Sequence, residues 1–76
     1  MLLKFTANVI LAHRTDLLRT ENRLDLADFT TTRTHVPATL IVQGEFRDLD
    51  TFLNTLEGYL PSDATIDDYG EAGDPV

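Results

Sequence analysis

The residues that could bind a metal ion or take part in acid–base chemistry are carboxylates toward the C-terminal end. They are Asp63, Asp67, Asp68, Glu71 and Asp74. A hard cation such as Ca²⁺ needs several oxygen atoms that converge on one point. The spacing here fits no EF-hand loop, and side chains adjacent along a strand point to opposite faces. We therefore expect a solvated acidic edge and no metal site.

Two histidines and one serine complete the candidates for catalysis. His13 follows the first predicted strand and His35 lies in a predicted turn, so both are expected to be exposed loop residues. A nucleophile needs an activating base, but there is no cysteine, and Ser62 has no histidine near it in sequence. The four glycines are scattered and form no phosphate-binding loop. We predict that the chain is not an enzyme, with no catalytic, cofactor-binding or metal-binding residue.

The net charge of −7 is unevenly distributed along the chain. Residues 1–47 contain all six basic residues and five acidic ones, whereas residues 48–76 contain eight acidic residues and no basic one. Such a surface repels nucleic acid, so direct nucleic-acid binding is not expected. Two explanations stay open: the acidity serves solubility, as in salt-adapted proteins, or it docks a protein with a basic surface. The docking residues would be Asp63, Asp67, Asp68, Tyr69 and Glu71.

A chain of 76 residues is at most one small domain. Domains of this size bury little surface and often need disulfides, a metal or a partner for stability. Because there is no cysteine, self-association or a protein partner is the expected support. No apolar run approaches the roughly 20 residues that cross a bilayer, and the N-terminal segment does not resemble a signal peptide. A cytoplasmic location, or a place inside a virion, is therefore predicted.

Hydrophobic periodicity predicts four strands and two helices. The predicted strands are residues 2–12, 28–34, 38–44 and 64–69, where apolar and β-branched residues alternate or cluster. A helix capped by Asp48 follows from an apolar stripe at Leu49, Phe52, Leu53, Leu56 and Leu60. Gly58 is expected to loosen or end its last turn, and Pro61 cannot continue it. Residues 15–28 are ambiguous: a helix from Asp16 to about Leu24 competes with a long hairpin arm. The helix would be capped by Thr15 or Asp16 and would have a thin apolar stripe at Leu17, Leu18 and Leu24.

The resulting order is strand, helix, strand, strand, helix, strand. This order predicts an α+β ferredoxin-like split sandwich, in which two helices cover one face of a four-stranded antiparallel sheet. The domain would span residues 1–70, followed by an acidic flexible tail at 71–76. The uncovered face would present Lys4, Thr6, Asn8, Ile10, Ile41 and Gln43.

One segment has a family resemblance. The stretch "VPATLIVQGEFRDLDTFLNTLEGYLP" resembles half of the ferredoxin-like domain in type IV pilus assembly-platform subunits, over about a third of the chain. The acidic composition is similar to that of small haloarchaeal regulatory domains. The first resemblance implies a ferredoxin-like fold, and neither resemblance assigns a functional residue.

Taken together, these features predict a non-enzymatic protein–protein interaction module. It would form a homo-oligomer, bind a protein with a basic surface, or serve as a small structural or accessory subunit of a viral or halophilic assembly. The uncovered sheet face and the acidic region are the two candidate interfaces. The alternative is a dimeric regulatory domain that senses a small ligand between two sheets.

Overall fold

The computed structural model describes residues 1–72. Its elements are β1 (Leu3–Ile10), a 3-10 turn (Arg14–Asp16), α1 (Leu17–Leu26), β2 (Thr30–Arg33), β3 (Thr39–Phe46), α2 (Leu49–Glu57) and β4 (Thr65–Glu71). The strands form one antiparallel sheet in the order β2-β3-β1-β4. This arrangement confirms the predicted α+β fold, which is consistent with a ferredoxin-like split sandwich.

Strand β1 lies in the middle of the sheet, and its alternating pattern is confirmed. Phe5, Ala7 and Val9 are buried, while the intervening residues stay partly or fully exposed. The strand pairs along its whole length with β3, where Phe5 lies opposite Gly44 and Val9 opposite Leu40. Residues directly opposite each other on neighbouring strands point to the same side of the sheet. These pairs therefore direct the apolar side chains of both strands toward the helices.

The ambiguous segment after β1 is a helix, and the hairpin-arm alternative is wrong. Helix α1 begins after the 3-10 turn, and Asp16, one of the two predicted caps, occupies its N-cap position, although its side chain makes no capping hydrogen bond. The helix ends where Asp28 adopts a left-handed conformation at φ 68°. The Phe29 N–H then donates to Leu24 O (3.0 Å) and the Asp28 N–H to Asp25 O (3.2 Å). This is the Schellman pattern that closes helix C-termini.

The buried face of α1 differs from the predicted stripe. Thr20 and Leu24 are the fully buried residues of the helix, whereas Leu18 is 63% exposed and Leu26 is 86% exposed. The Thr20 hydroxyl is buried without a hydrogen-bond partner. Tertiary packing thus places a threonine where the sequence pattern favoured a leucine.

Strands β2 and β3 form the predicted hairpin, although β2 is shorter than the predicted range 28–34. The left-handed Asp28 delays the start of β2 to Thr30. In the connection, the Val36 N–H donates to Thr34 Oγ1 (3.0 Å), and the Thr39 hydroxyl donates to Pro37 O (3.1 Å). Side-chain-to-backbone hydrogen bonds of this kind favour turns over continued strand.

Helix α2 is built as predicted. Asp48 has extended backbone geometry, and its Oδ1 accepts a hydrogen bond from the Thr51 N–H at 2.8 Å. This is the N-cap interaction that satisfies an otherwise unpaired donor of the first turn. Phe52 and Leu56 are buried against the sheet, and the helix ends at Gly58.

Replacing Asp48 with alanine is expected to lower the urea midpoint at pH 7, though less than a core substitution would. The hydrogen bond from the Thr51 N–H holds the pKa of Asp48 below its usual value. A lowered folded-state pKa contributes stability that is present above the unfolded-state pKa of about 3.9 and is lost as pH falls through the folded value. The stability difference between wild type and Asp48→Ala should therefore shrink between pH 5 and pH 2. Asp48→Asn, which can still cap, is the matched control; its equalling Asp48→Ala at pH 7 would contradict the capping role.

The core lies between the sheet and the two helices. Its buried apolar residues are Phe5, Ala7, Val9, Leu11, Leu24, Phe29, Leu40, Val42, Phe52 and Leu56. Phe52 is the centre of an aromatic cluster: its ring centroid lies 5.6 Å from those of Phe5 and Phe46 and 6.1 Å from that of Phe29. These separations are typical of favourable stacked and edge-on aromatic pairs.

Strand β4 forms one edge of the sheet and contains an irregularity. Asn8 faces Asp68 but Val9 faces Ile66, so Asp67 is an extra residue that forms a β-bulge. The strand continues to Glu71, and the Ala72 N–H donates to Lys4 O at 2.9 Å. The last four residues of the predicted tail lie outside the described residues.

Within residues 1–72, neither helix is long and apolar enough to cross a membrane.

Candidate interaction surfaces

The uncovered sheet face is formed by the outward side chains of all four strands. The cross-strand register places Lys4 opposite Glu45, Thr6 opposite Gln43, Asn8 opposite Ile41 and Ile10 opposite Thr39. The six predicted residues of this face are therefore side by side on the two central strands. Thr30 and Thr32 extend the face onto β2, and Thr65, Asp68 and Gly70 extend it onto β4.

The chemistry of this face is mainly that of neutral polar groups. Five threonines, Asn8 and Gln43 supply hydroxyl and amide groups that both donate and accept hydrogen bonds. Ile10 and Ile41 are diagonal neighbours across β1 and β3 and form the apolar part of the face. Ile10 is 39% exposed, and Ile41 is half-buried. The described strands place no aromatic side chain on this face.

The predicted acidic residues do not form one cluster. Asp63 lies in the loop before β4, Asp67 is the bulge residue, and Asp68 lies on the uncovered side, opposite Asn8. Tyr69 and Glu71 face the helix side, opposite Ala7 and Phe5. Among residues 1–72, no three His, Cys, Asp or Glu side chains are grouped as a metal site requires. The acidic residues surround the β4 edge and do not converge.

A groove between α2 and β4 is a feature that sequence reasoning missed. We call it the α2–β4 groove. Its apolar lining is Leu53, Leu60, Ile66 and Tyr69, and its polar rim includes Glu57 and Thr65. The volume is about 560 Å³. Tyr69 is 52% exposed, so its ring is available to a molecule that enters the groove.

The two histidines are exposed, as predicted, but one of them makes a contact that the sequence does not indicate. His13 Nε2 lies 3.6 Å from Asp63 Oδ2, which connects the segment after β1 with the loop before β4. His35 is exposed in the connection between β2 and β3. Ser62 lies in the loop beside the α2–β4 groove. The structure brings neither histidine to Ser62 in a hydrogen bond within residues 1–72.

An ion pair joins α1 to the β2 edge. Arg33 Nε and Nη2 donate to the two carboxylate oxygens of Glu21 at 2.8 and 2.9 Å. The hydrogen bond from Arg33 lowers the pKa of Glu21, and the same pairing raises the pKa of Arg33. A bidentate contact of this kind orients both side chains. Its position on the helix side makes it a structural contact rather than part of the uncovered face.

Charge is unevenly distributed over the molecule. The 3-10 turn and α1 contain three arginines and three carboxylates, so this part is close to neutral. Residues 48–72, which include α2 and β4, contain only acidic charges. The excess of negative charge therefore lies around α2 and β4.

Comparison with known proteins adds no functional information. No family model, no curated protein and no solved structure matches this chain.

Proposed function

We propose that this chain is a non-enzymatic protein–protein interaction module that pairs with a second copy through its uncovered sheet face. The observation that carries the proposal is the composition of that face. It is a continuous surface of four strands, built mainly from neutral polar side chains around Ile10 and Ile41. No helix of the described chain lies over it.

The hydrogen-bonding groups of the face are complementary to those of an identical face. Hydroxyl and amide side chains each donate and accept. A two-fold pairing brings the same patch of each copy together, so every donor can find an acceptor of the same kind. Ile10 and Ile41 of the two copies would supply the apolar centre that specific interfaces contain.

Charge also favours this face for self-association. The whole chain has a net charge of −7, and most of its surfaces would repel those of another copy. The uncovered face has only three charged side chains, Lys4, Glu45 and Asp68. Pairing through this face brings few like charges close together. Lys4 of each copy can also approach an acidic residue of the other.

The size of the face sets the expected affinity. The four strands contain eight, four, eight and seven residues, and at about 3.3 Å per residue and 4.8 Å between strands they cover roughly 430 Å². A pair of such faces would bury about 850 Å², in the range of weak, transient interfaces. We therefore expect a dimer that dissociates on dilution.

The composition of the uncovered face does not favour nucleic-acid binding. Sheets that bind RNA present aromatic side chains on which bases stack. The phenylalanines of this chain are instead packed between the sheet and the helices. The acidic charge would also repel phosphate groups.

Replacing Ile41 with lysine is expected to prevent self-association. Two lysines would be brought together in the apolar centre of a two-fold interface, where their charges repel and lose hydration. Sedimentation velocity from 10 μM to 1 mM should show a dimer for the wild type and a monomer for Ile41→Lys. The dimer should also persist in molar salt, since its interface is largely neutral.

Leu18→Lys is the matched control, because Leu18 is an exposed leucine on α1, away from the uncovered face. This variant should dimerise like the wild type. A wild-type protein that stays monomeric at 1 mM would refute the proposal. Loss of association in Leu18→Lys, with Ile41→Lys unaffected, would instead assign the interface to α1.

A further inference from the structure

We infer that the α2–β4 groove and the free edge of β4 together bind an extended basic segment of a partner protein, which adds to the sheet as a fifth strand. This site is separate from the uncovered face proposed for self-association. The partner segment would alternate apolar residues, which enter the groove, with lysine or arginine residues, which meet the acidic side chains.

The backbone of β4 provides the first part of this argument. The Ala72 N–H donates inward to Lys4 O. In an antiparallel pair, alternate residues direct their backbone groups toward and away from the partner strand. The backbone groups of Glu71 and Tyr69 therefore face the open edge. Consistent with this, the Tyr69 N–H donates to Asp68 Oδ1 at 3.0 Å, not to β1.

The groove provides the second part. The side chains of Ile66 and Tyr69 face the helix side, where Leu53 and Leu60 complete an apolar lining. A strand added beside β4 would direct every second side chain to this side of the sheet. Strand addition combined with pockets for alternate side chains is an established mode of peptide recognition. The groove thus favours apolar residues at alternate positions of the segment.

Charge identifies the partner. Asp67, Asp68 and Glu71 lie on β4, and Glu57 lies at the rim of the groove. Residues 48–72 contain no basic side chain, and within residues 1–72 no ion pair joins these carboxylates to Lys4 on the neighbouring strand or to any other basic residue. A second copy of the chain, pairing β4 with β4, would bring these carboxylates together and be repelled. A basic segment would be attracted, and its association would be accelerated at low salt.

The bulge and Asp68 explain how the edge avoids indiscriminate pairing. Native proteins protect edge strands with bulges and charged residues. Here Asp67 interrupts the hydrogen-bond ladder between β4 and β1, and the Asp68 carboxylate accepts the hydrogen bond of the Tyr69 N–H. A lysine or arginine of the incoming segment can bind the Asp68 carboxylate and release this N–H for the new strand. The edge would therefore open selectively to basic segments.

The test is an NMR titration of the ¹⁵N-labelled full chain with capped ten-residue peptides. A peptide of alternating lysine and valine should shift the amide signals of β4 and of the C-terminal half of α2. Peptides of alternating lysine and serine, or of alternating glutamate and valine, should bind at least tenfold more weakly. The first lacks the apolar groups for the groove, and the second repels the acidic edge.

Two variants locate the site. Tyr69→Ala removes the exposed ring from the groove, and Asp68→Asn removes the charge that covers the edge. Each should weaken binding of the lysine–valine peptide about tenfold. Asp25→Asn removes an exposed carboxylate from α1 and is the matched control, which should leave binding unchanged.

Three outcomes would overturn the inference. These are no binding at millimolar peptide, equal binding of the lysine–serine peptide, and shifts confined to the uncovered face. The second would show simple charge attraction without the groove. Dimerisation through the uncovered face is measured separately, so failure of either proposal leaves the other testable.

Discussion

Replacing Phe52 with alanine is expected to remove a large part of the protein's free energy of unfolding at 25 °C. The Phe52 side chain is fully buried, and its ring contacts three other aromatic rings. Truncation of a buried phenylalanine to alanine typically costs about 3–5 kcal/mol through lost transfer free energy and the remaining cavity. At roughly 0.05–0.15 kcal/mol per residue, a domain of this size has a total free energy of unfolding of about 4–11 kcal/mol. The loss would therefore remove a large part of the stability.

Urea denaturation followed by far-UV circular dichroism measures this effect. Asn54→Ala, on the exposed side of the same helix, is the control and should change the free energy of unfolding by less than about 0.5 kcal/mol. Phe52→Leu should fall between the two, since it keeps part of the buried volume. A cost below about 1 kcal/mol for Phe52→Ala would show that the aromatic cluster does not hold α2 on the sheet.

Gly44→Ala is expected to lower the free energy of unfolding, although it adds only one methyl group. A Cβ at position 44 would lie 3.0 Å from both Phe29 Cδ1 and Phe46 Cε1. Neither ring can move away easily. The ring centroid of Phe29 lies 6.1 Å from those of Phe52 and Tyr59, and that of Phe46 lies 5.6 Å from that of Phe52. Overpacking of this kind typically costs about 1–3 kcal/mol.

Gly70→Ala provides a matched comparison within the same sheet. A Cβ at Gly70 would meet no atom within 4 Å. Because alanine loses less backbone entropy than glycine on folding, this substitution should raise the free energy of unfolding by about 0.5–1 kcal/mol. Thermal unfolding of the two variants should therefore move in opposite directions. Equal effects would mean that the rings around Gly44 rearrange to admit the methyl group.

Much of the fold was predictable because the sequence pattern and the tertiary packing agree. In β1, every second residue is apolar, and Phe5, Ala7 and Val9 are the ones that the helices cover. In α2, a capping aspartate precedes residues spaced for one helical face, and Phe52 and Leu56 lie at its centre. Local preference and global packing point to the same structure in these segments.

Helix α1 shows where the pattern fails. The sequence offers Leu17, Leu18 and Leu24 as a stripe, but the buried pair is Thr20 and Leu24. Hydrophobicity alone does not select a threonine for a buried position, since its hydroxyl loses hydration there. The small size of Thr20 and its position one turn from Leu24 on the same helical face allow the helix to approach the sheet.

The candidate surfaces were predicted to different extents. The uncovered face followed from strand alternation, because residues two apart share a face. The α2–β4 groove did not follow, since it depends on how the loop after α2 folds and on the bulge at Asp67. A single extra residue shifts all later side chains relative to β1. The sequence contains no turn or glycine signal that marks this bulge.

The topology of the sheet also determines the order in which the molecule can fold. Of the strands of this sheet, β1 is synthesised first, and Thr65, where its outer neighbour β4 begins, follows Ile10 by 55 residues. For β1 and β4 to pair, the chain between them must first lose the entropy of closing a long loop. The contacts between the two strands stabilise the pair only afterwards. Until β4 arrives, the backbone groups that Lys4, Thr6 and Asn8 direct toward it are unpaired, and this edge of a refolding chain is open to association with other chains. Like charges oppose association, so the acidic residues that follow β3 would reduce the association of refolding molecules that have not yet paired β4.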